Sequence, residues 1–235
     1  MTTTILLIGI ALCGGAILTL QDWRYTFSAL LLNYILIAIF MVQDDSVRAA
    51  ISSDSARFSL MLIKLITGFS ATVILSITAL TFSREYNLED LDEFSLAELR
   101  RAARRVQTQS AGVSRRFSDY VVPFWALVLA ALASIALPRL YPIGSYALDF
   151  TWYWLGLIGL FAIVSASDLL KVGLGLLLCV ESMALLYMAV SGIIQVVPLA
   201  LLSLTTVVLA LAIAYLSGLL YGRLKTLELN ELYKS

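Results

Sequence analysis

Seven runs of about 20 apolar residues constrain the fold of this chain more than any other feature of its 235 residues. A helix of that length matches the hydrocarbon thickness of a bilayer. Lipid offers the backbone no hydrogen-bond partner, and the runs are too continuously apolar for the alternating strands of a barrel, so each run is predicted to be helical. The sequence therefore predicts an all-α polytopic membrane protein with about seven transmembrane helices, at residues 3–20, 25–43, 58–82, 120–138, 150–167, 169–190 and 196–221.

Composition separates this chain from soluble enzymes. Hydrophobic residues make up 60% of it, charged residues make up 14%, and the mean hydropathy is +0.92. The sequence has no histidine, which excludes Ser-His-Asp catalysis, histidine-ligated haem and most zinc chemistry within the chain. Cys13 and Cys179 lie inside apolar runs, where a thiol packs as a small hydrophobe, so neither a disulfide nor a metal site is predicted. Because flavin, nicotinamide and iron–sulfur fingerprints are missing from the sequence too, we expect no catalytic residue and no cofactor.

The basic residues predict the orientation of the helices. When seven spans are threaded through a membrane, twelve of the 16 Lys and Arg residues fall on one side, and seven of these lie between the third and fourth spans. Basic loops stay in the cytoplasm, so we expect the N-terminus outside and the C-terminus in the cytoplasm. Residues 1–20 have no basic start and no small-residue cleavage site, so they are predicted to be a retained spanning helix and not a secretory signal.

Four segments organise the chain: an N-terminal three-helix module (1–82), a charged cytoplasmic connector (83–118), a linking transmembrane helix (119–149) and a C-terminal three-helix module (150–235). Both modules run in the same predicted direction. Their first cytoplasmic turns are similar, with Asp22 and Arg24 in one and Asp168 and Lys171 in the other. Two parallel three-helix repeats, a known way of building membrane transport folds, are one interpretation. A chance match between leucine-rich helices is the alternative.

The connector has an acidic half followed by a basic half. Ser95 and Glu98 have the spacing of a capping box, which predicts a short helix through Val106. Two interpretations of the connector stay open. It is either a solvated hinge whose bases set the topology and contact anionic lipid, or a docking segment for a cytoplasmic partner.

Glu181 is an ionisable carboxylate inside the apolar run 169–190. A charge at that depth disfavours insertion by roughly 2.5 to 3.5 kcal/mol, so such residues face a partner, a cavity or an ion path. The small residues Gly173, Gly175 and Cys179 on the same helix allow neighbouring helices to approach, which predicts that the acid faces the bundle. Two interpretations of Glu181 stay open. One is a role in proton movement or in coupling to an adjacent subunit, and the other is a protonated acid that is hydrogen-bonded to a neighbouring helix.

Lys64 is a base inside the third span, seven residues after Arg57. It either snorkels to the outer interface or pairs with an acid on a neighbouring helix, as lysines in ion-translocating paths do. Asp22, Arg24, Asp168 and Lys171 lie at helix boundaries that water reaches, where ordinary interfacial residues are the simplest interpretation.

The C-terminal module resembles a known family. Its turn Asp168-Leu169-Leu170-Lys171, its glycine- and leucine-rich helix up to Glu181 and the apolar helix that follows are similar to the K-type subunit of respiratory complex I and the C-type subunit of multisubunit cation/proton antiporters. The length, the extra N-terminal helices with Lys64 in the third, and the tail at 226–232 resemble the longer E-type membrane component of formate hydrogenlyases and energy-converting hydrogenases. The resemblance covers residues 150–232 and, more loosely, residues 1–82.

This resemblance implies a membrane subunit, not catalytic by itself, of a complex I-related assembly that moves protons or cations across the cytoplasmic (inner) membrane of a prokaryote. Its partners are then antiporter-like membrane subunits and lipids, with no nucleic acid. Glu181 corresponds to the family acid of a central hydrophilic axis, and Lys64 joins it in the expected ion path. The family's second acid falls near Thr205, which cannot ionise, so a wire of two carboxylates is not expected and Thr205 and Thr206 are expected to orient water.

Two other function classes stay open. A structural or assembly scaffold would use the glycine faces and the connector to hold larger partners in register. An autonomous small carrier would consist of the two repeats alone, although the spans have few broken helices and few polar groups for a substrate site.

Overall fold

The structure, a computed structural model, describes residues 2–20, 22–51, 53–85, 118–166, 168–191 and 194–224. Within these ranges the chain forms helices that we number α1 (Thr2–Thr19), α2 (Trp23–Gln43), α3 (Asp45–Ala50), α4 (Asp54–Glu85), α5 (Ser118–Leu140), α6 (Tyr146–Val164), α7 (Leu169–Val190) and α8 (Val196–Leu224). The predicted all-α polytopic class is confirmed. The predicted connector helix at 95–106 and the tail at 226–232 lie outside the described residues.

Six described helices are long and apolar enough to cross a membrane: Trp23–Gln43, Asp54–Thr81, Val121–Leu140, Tyr146–Val164, Leu169–Val190 and Val196–Leu220. The first predicted span is α1, a shorter apolar helix of 18 residues. At 1.5 Å per residue it is about 27 Å long, close to the roughly 30 Å of a hydrocarbon core. The sequence did not predict α3, because a helix of six residues is too short to show a period. Its start is set locally by Asp44, whose carboxylate accepts the backbone N–H groups of Ser46 and Val47.

Hydrogen bonds between loops show which helix ends share a face of the bundle. Ser145, just before α6, donates its hydroxyl to the carboxylate of Asp44, just before α3, over 3.1 Å. Ile194, just before α8, donates its backbone N–H to the carbonyl of Ala50 over 3.1 Å. The starts of α4, α6 and α8 therefore lie together, at what we call the Arg57 face after the arginine in the first turn of α4. The starts of α2 and α7 lie at the opposite face.

Six helices pack in a closed ring. The order of neighbours around it is α1, α2, α4, α8, α7, α6 and again α1, and α5 packs outside this ring against α6 and α1. Each predicted three-helix module contributes three consecutive ring members, α1, α2 and α4 from one and α6, α7 and α8 from the other. Side chains that point into the ring are therefore removed from lipid. The repeat relationship between the two modules stays a prediction.

Small residues set the close spacing of α7 against both of its ring neighbours. A Cβ added to Gly159 of α6 would lie 2.7 Å from the carbonyl oxygen of Gly175, and a Cβ on Gly175 would lie 2.7 Å from that of Gly159. On its other side, Gly173 of α7 lies against Ile213 of α8, whose Cγ2 would be 2.6 Å from an added Cβ. Membrane helices associate by such close packing, so these glycines hold α7 in place.

Candidate functional site

The ring encloses a buried ion pair. The ammonium of Lys64 donates to both carboxylate oxygens of Glu181, each over 2.8 Å. The Lys64 side chain is 3% exposed and the Glu181 side chain is 1% exposed. The structure thus brings together two residues that the sequence singled out separately. Of the two interpretations of Lys64, the structure shows the pairing with an acid on another helix and not the snorkelling.

A buried stripe along α4 presents Lys64 to the interior. Its members recur every three or four residues, as on one face of a helix: Leu60, Lys64, Thr67, Ala71, Leu75 and Ala79. Lys64 occupies a position where this pattern otherwise places an apolar or small residue. Its long, flexible side chain can cross the ring interior, because four methylene groups separate the ammonium from the backbone.

The carboxylate of Glu181 lies in a similar stripe on α7. The buried positions of that helix are Leu170, Gly173, Leu174, Gly175, Leu177, Leu178, Glu181, Ser182, Ala184, Leu185 and Met188. Gly175 and Gly173 fix the rotation of α7 by contacting α6 and α8 on its two sides. With both sides occupied by neighbouring helices, the remaining buried direction points Glu181 at the ring interior.

Both charged groups lie at the same depth. Lys64 is ten residues from the start of α4, and Glu181 is nine residues from the end of α7, and both of these helix ends are at the Arg57 face. At 1.5 Å per residue, each lies about 14 to 15 Å along its helix, near the middle of a roughly 30 Å hydrocarbon core. Because α4 and α7 run in opposite directions, an acid and a base at these positions meet.

Two further polar side chains, which the sequence analysis missed, lie on α2 at the same depth. Asn33 is fully buried, and neither its amide nitrogen nor its amide oxygen has a hydrogen-bond partner among the described residues. Tyr34 is 1% exposed, its hydroxyl likewise has no described partner, and it is close enough to Glu181 to interact with it electrostatically. Asn33 lies eleven residues after Asp22, inside an apolar run, and a polar residue in such a run is the same kind of signal that drew attention to Lys64.

The two predicted threonines on α8 face different environments. Thr206 is 1% exposed and donates its hydroxyl to the carbonyl of Leu202. Thr205 is exposed on the outside of the described bundle and donates its hydroxyl to the carbonyl of Leu201. Of the two, Thr206 is therefore the one that lies within the packed interior.

The predicted turn residues lie at helix starts on the face opposite Arg57. Asp168 caps α7, because its carboxylate accepts the backbone N–H of Lys171 over 2.7 Å. Asp22 precedes α2 without such a side-chain cap, and the guanidinium of Arg24 lies 5.3 Å from the centre of the Trp23 ring. The structure does not bring these residues to the buried pair, because Glu181 lies 13 residues after Asp168, near the middle of α7.

At the Arg57 face, a buried aspartate that the sequence analysis did not single out fixes the loop before α6. Asp149 is fully buried, and its carboxylate accepts the backbone N–H groups of Ile143 and Gly144 over 2.9 to 3.1 Å and the indole N–H of Trp152 over 3.2 Å. An acid in the first turn of an apolar helix, after a loop with proline and glycine, is the signal that identifies it. Its contacts organise the loop and do not reach the Lys64–Glu181 pair.

The chemistry available at the buried site is that of an acid, a base and hydroxyl groups. In the described part of the chain, no group of His, Cys, Asp and Glu side chains is arranged to hold a metal ion. An ammonium and a carboxylate in contact can form, break and re-form their bonds as a proton or a nearby charge arrives.

No family model, curated protein or solved structure matches the chain.

Proposed function

We propose that this chain is a membrane subunit, not catalytic by itself, of a complex I-related assembly that moves protons or cations, and that the Lys64–Glu181 pair is a station on the ion path. The observation that carries the proposal is the pair itself, two opposite charges at mid-membrane depth with at most 3% of either side chain exposed. Ionisable groups inside membrane proteins are rare, and they commonly mark ion paths and proton relays.

A closed pair of this kind can respond to charge. When a proton reaches the carboxylate, Glu181 becomes a neutral acid and its attraction for the ammonium of Lys64 falls. When the proton leaves, the carboxylate recovers its charge and the pair closes again. In such a cycle the redox reaction or ion gradient that supplies the energy belongs to partner subunits, and this chain couples to it through the opening and closing of one contact.

A route towards the pair begins at the Arg57 face. A cavity of about 180 Å³ there is lined by Val42, Arg48, Asp54, Arg57, Phe58 and Met61. Met61 lies three residues before Lys64, which is less than one turn of α4. The lining is mainly apolar, and Arg48, Asp54 and Arg57 supply its charged part, so we propose this cavity as the entry point for water and ions.

The sequence supports the finer parts of the proposal. The resemblance to K-type, C-type and E-type subunits points to antiporter-like membrane partners with a hydrogenase or dehydrogenase arm, in the inner membrane of a prokaryote. The distribution of basic residues favours an N-terminus outside and a C-terminus in the cytoplasm, which places the Arg57 face outside.

The experiment uses the tagged chain in its native membrane. Mild-detergent purification first identifies the subunits that migrate with it. Proton movement is then followed with a pH-sensitive dye in everted vesicles energised by NADH, formate or hydrogen, whichever drives the wild type, and a parallel series varies sodium. We expect Glu181→Gln to remain assembled in the membrane, although it is less stable than the wild type, and to lose most of the gradient.

Asp45→Asn is the matched control, because Asp45 is an exposed acid at the Arg57 face that does not line the cavity. We expect vesicles with this variant to pump like the wild type. An assembled Glu181→Gln complex with an unchanged gradient would sink the ion-path role.

A scaffold subunit is the second candidate, and one observation favours it: both carboxylate oxygens of Glu181 are engaged, so the pair also clamps α4 to α7. A scaffold predicts that the double variant Lys64→Met/Glu181→Gln, which removes both charges together, assembles and pumps normally. An ion-path residue predicts assembly without pumping, so the same vesicles separate the two functions.

A further inference from the structure

Two buried polar residues at the depth of the ion pair have no hydrogen-bond partner that the described structure supplies. Asn33 and Tyr34 are adjacent on α2, and 1% or less of either residue is exposed. Burying a polar group without a partner costs on the order of 1 to 3 kcal/mol in proteins, and lipid outside the bundle cannot supply the missing bond. Such groups need an explanation other than packing.

The packing fixes the Tyr34 side chain against α4. A Cβ on Gly68 of α4 would collide with the Cβ and Cγ of Tyr34, so the tyrosine crosses that helix in direct contact with its backbone. Gly68 lies four residues, about one turn, from Lys64, and Tyr34 also interacts electrostatically with Glu181. Tyr34 therefore packs on α4 one turn from Lys64, at the depth of the pair, and its hydroxyl is bonded to neither member.

We propose that Tyr34 is a positioning residue for Glu181: when the Lys64 ammonium withdraws, the Tyr34 hydroxyl donates a hydrogen bond to the Glu181 carboxyl group in its place. The inference deepens the proposed function and rests on it in one respect, namely that the pair opens during the working cycle.

The physical reason is the cost of an open pair. Removing one partner from a buried ion pair strands the other charge, which is strongly unfavourable. A phenol is a good donor to a carboxylate and also to the carbonyl oxygen of a protonated carboxylic acid, so it serves Glu181 in either protonation state. The switch also gives the Tyr34 hydroxyl its missing partner. The closed state leaves the hydroxyl unbonded and the open state satisfies it, which narrows the free-energy difference between them.

Lys64→Met imitates the open state in a stability experiment. In the wild-type background, Tyr34→Phe removes a hydroxyl without a partner, so we expect the Tm of the purified full chain to stay the same or rise. In the Lys64→Met background, the same change removes the donor to Glu181, so we expect the Tm to fall by a further 2 to 4 °C or so, about the shift for one ordinary hydrogen bond in a chain of this size. The effect of Tyr34→Phe on the Tm is therefore zero or positive in the wild-type background and negative in the Lys64→Met background.

Two controls test whether the difference in Tm between the two backgrounds is specific to the Tyr34 hydroxyl. Tyr215→Phe removes a hydroxyl from a tyrosine that is 68% exposed, so it has equal effects in both backgrounds. Asn33→Leu tests the neighbouring amide in the same way. An equal effect of Tyr34→Phe in both backgrounds, or a sign change for Asn33→Leu alone, overturns the assignment to Tyr34.

Infrared difference spectroscopy supplies a readout that a packing role would not move, and it needs no Lys64 variant. The carbonyl band of protonated Glu181 is identified by its absence in Glu181→Gln. We expect the band to move to higher frequency in Tyr34→Phe, because the carbonyl loses a donor, and to stay in place in Tyr215→Phe. An unshifted band in Tyr34→Phe overturns the proposal.

These measurements fail separately from the proposed function. The Tm series and the infrared band are read on purified protein without any ion gradient, so they report on Tyr34 even if Glu181→Gln vesicles pump normally. Lost pumping in Glu181→Gln together with a shifted band in Tyr34→Phe supports both proposals. Lost pumping without the shift retains the ion path and removes Tyr34 from it.

Discussion

Neutralising one member of the Lys64–Glu181 pair should destabilise the protein more than neutralising both. Lys64→Met and Glu181→Gln each keep the approximate length and shape of the side chain while removing its charge. Each single variant leaves one full charge buried in the ring without its counter-ion. The double variant Lys64→Met/Glu181→Gln leaves no charge, so we expect it to be more stable than either single variant.

The geometry of the pair sets the magnitude. At the observed separation of 2.8 Å, two unit charges attract by about 6 kcal/mol at an effective dielectric constant of about 20. Desolvation of the two ions offsets much of this, at several kcal/mol each. Loss of one partner removes the attraction but leaves the other ion desolvated, which costs about 3 to 5 kcal/mol. For a chain of this size that is a fall in Tm on the order of 10 °C.

Thermal unfolding in detergent, followed by tryptophan emission, measures these differences. The control is the second ion pair that the described structure contains, Arg57–Asp54, which has the same N–O separation of 2.8 Å but in which the Asp54 side chain is 94% exposed. An exposed pair contributes about 0 to 1 kcal/mol, so Asp54→Asn should change the Tm little. The two pairs have the same N–O separation and differ in how deeply they are buried, so comparing them isolates the effect of burial.

Additivity would refute this reasoning. If the double variant loses the sum of the two single losses, then Lys64 and Glu181 act independently and the buried pair does not carry the stability assigned to it. Single variants as stable as the wild type would refute the desolvation argument, because they would mean that water reaches the stranded charge.

Two further variants test how α7 is held. Gly175→Ala places a Cβ 2.7 Å from the carbonyl oxygen of Gly159, so we expect thermal unfolding to show a loss of about 1 to 3 kcal/mol in stability. The control is Gly218→Ala, whose Cβ has no atom within 4 Å and which should leave the stability nearly unchanged. Equal losses in the two variants would contradict the close-packing argument. Asp168→Ala removes the acceptor for the backbone N–H of Lys171, so we expect about 1 kcal/mol of destabilisation and faster hydrogen exchange confined to the first turn of α7. Unchanged exchange in that turn would show that the cap is dispensable.

Hydropathy predicted the spans well because each depends on a local property. The predicted run 169–190 coincides with α7, and most other spans differ from the observed helices by only a few residues at each end. Hydropathy misplaced the starts of α4 and α6, which begin at Asp54 and Tyr146, each four residues before the predicted run. Backbone hydrogen bonds continue beyond the apolar stretch of a helix, so its ends are the least predictable part. The short α3 depends on a side-chain cap by Asp44 and left no periodic signal.

The site was predictable as single residues but not as an arrangement. Glu181 and Lys64 were each conspicuous because a charge inside an apolar run is costly wherever it lies. Their pairing needed the opposite directions and the neighbour order of α4, α7 and α8. Asn33 and Tyr34 are polar residues of ordinary kinds, so their burial beside the pair became visible only when α2 was packed against α4.

The sequence by itself determined that this is a helical membrane protein and which of its residues carry intramembrane charge, because the transfer of side chains and backbone between water and lipid is a local property of each segment. The tertiary structure decided that six helices close into a ring, that Lys64 and Glu181 meet inside it, that Thr206 is interior while Thr205 is exposed, and that Tyr34 lies beside the pair. The pair joins residues 117 positions apart, and it depends on glycine-mediated contacts between helices, which no local pattern encodes.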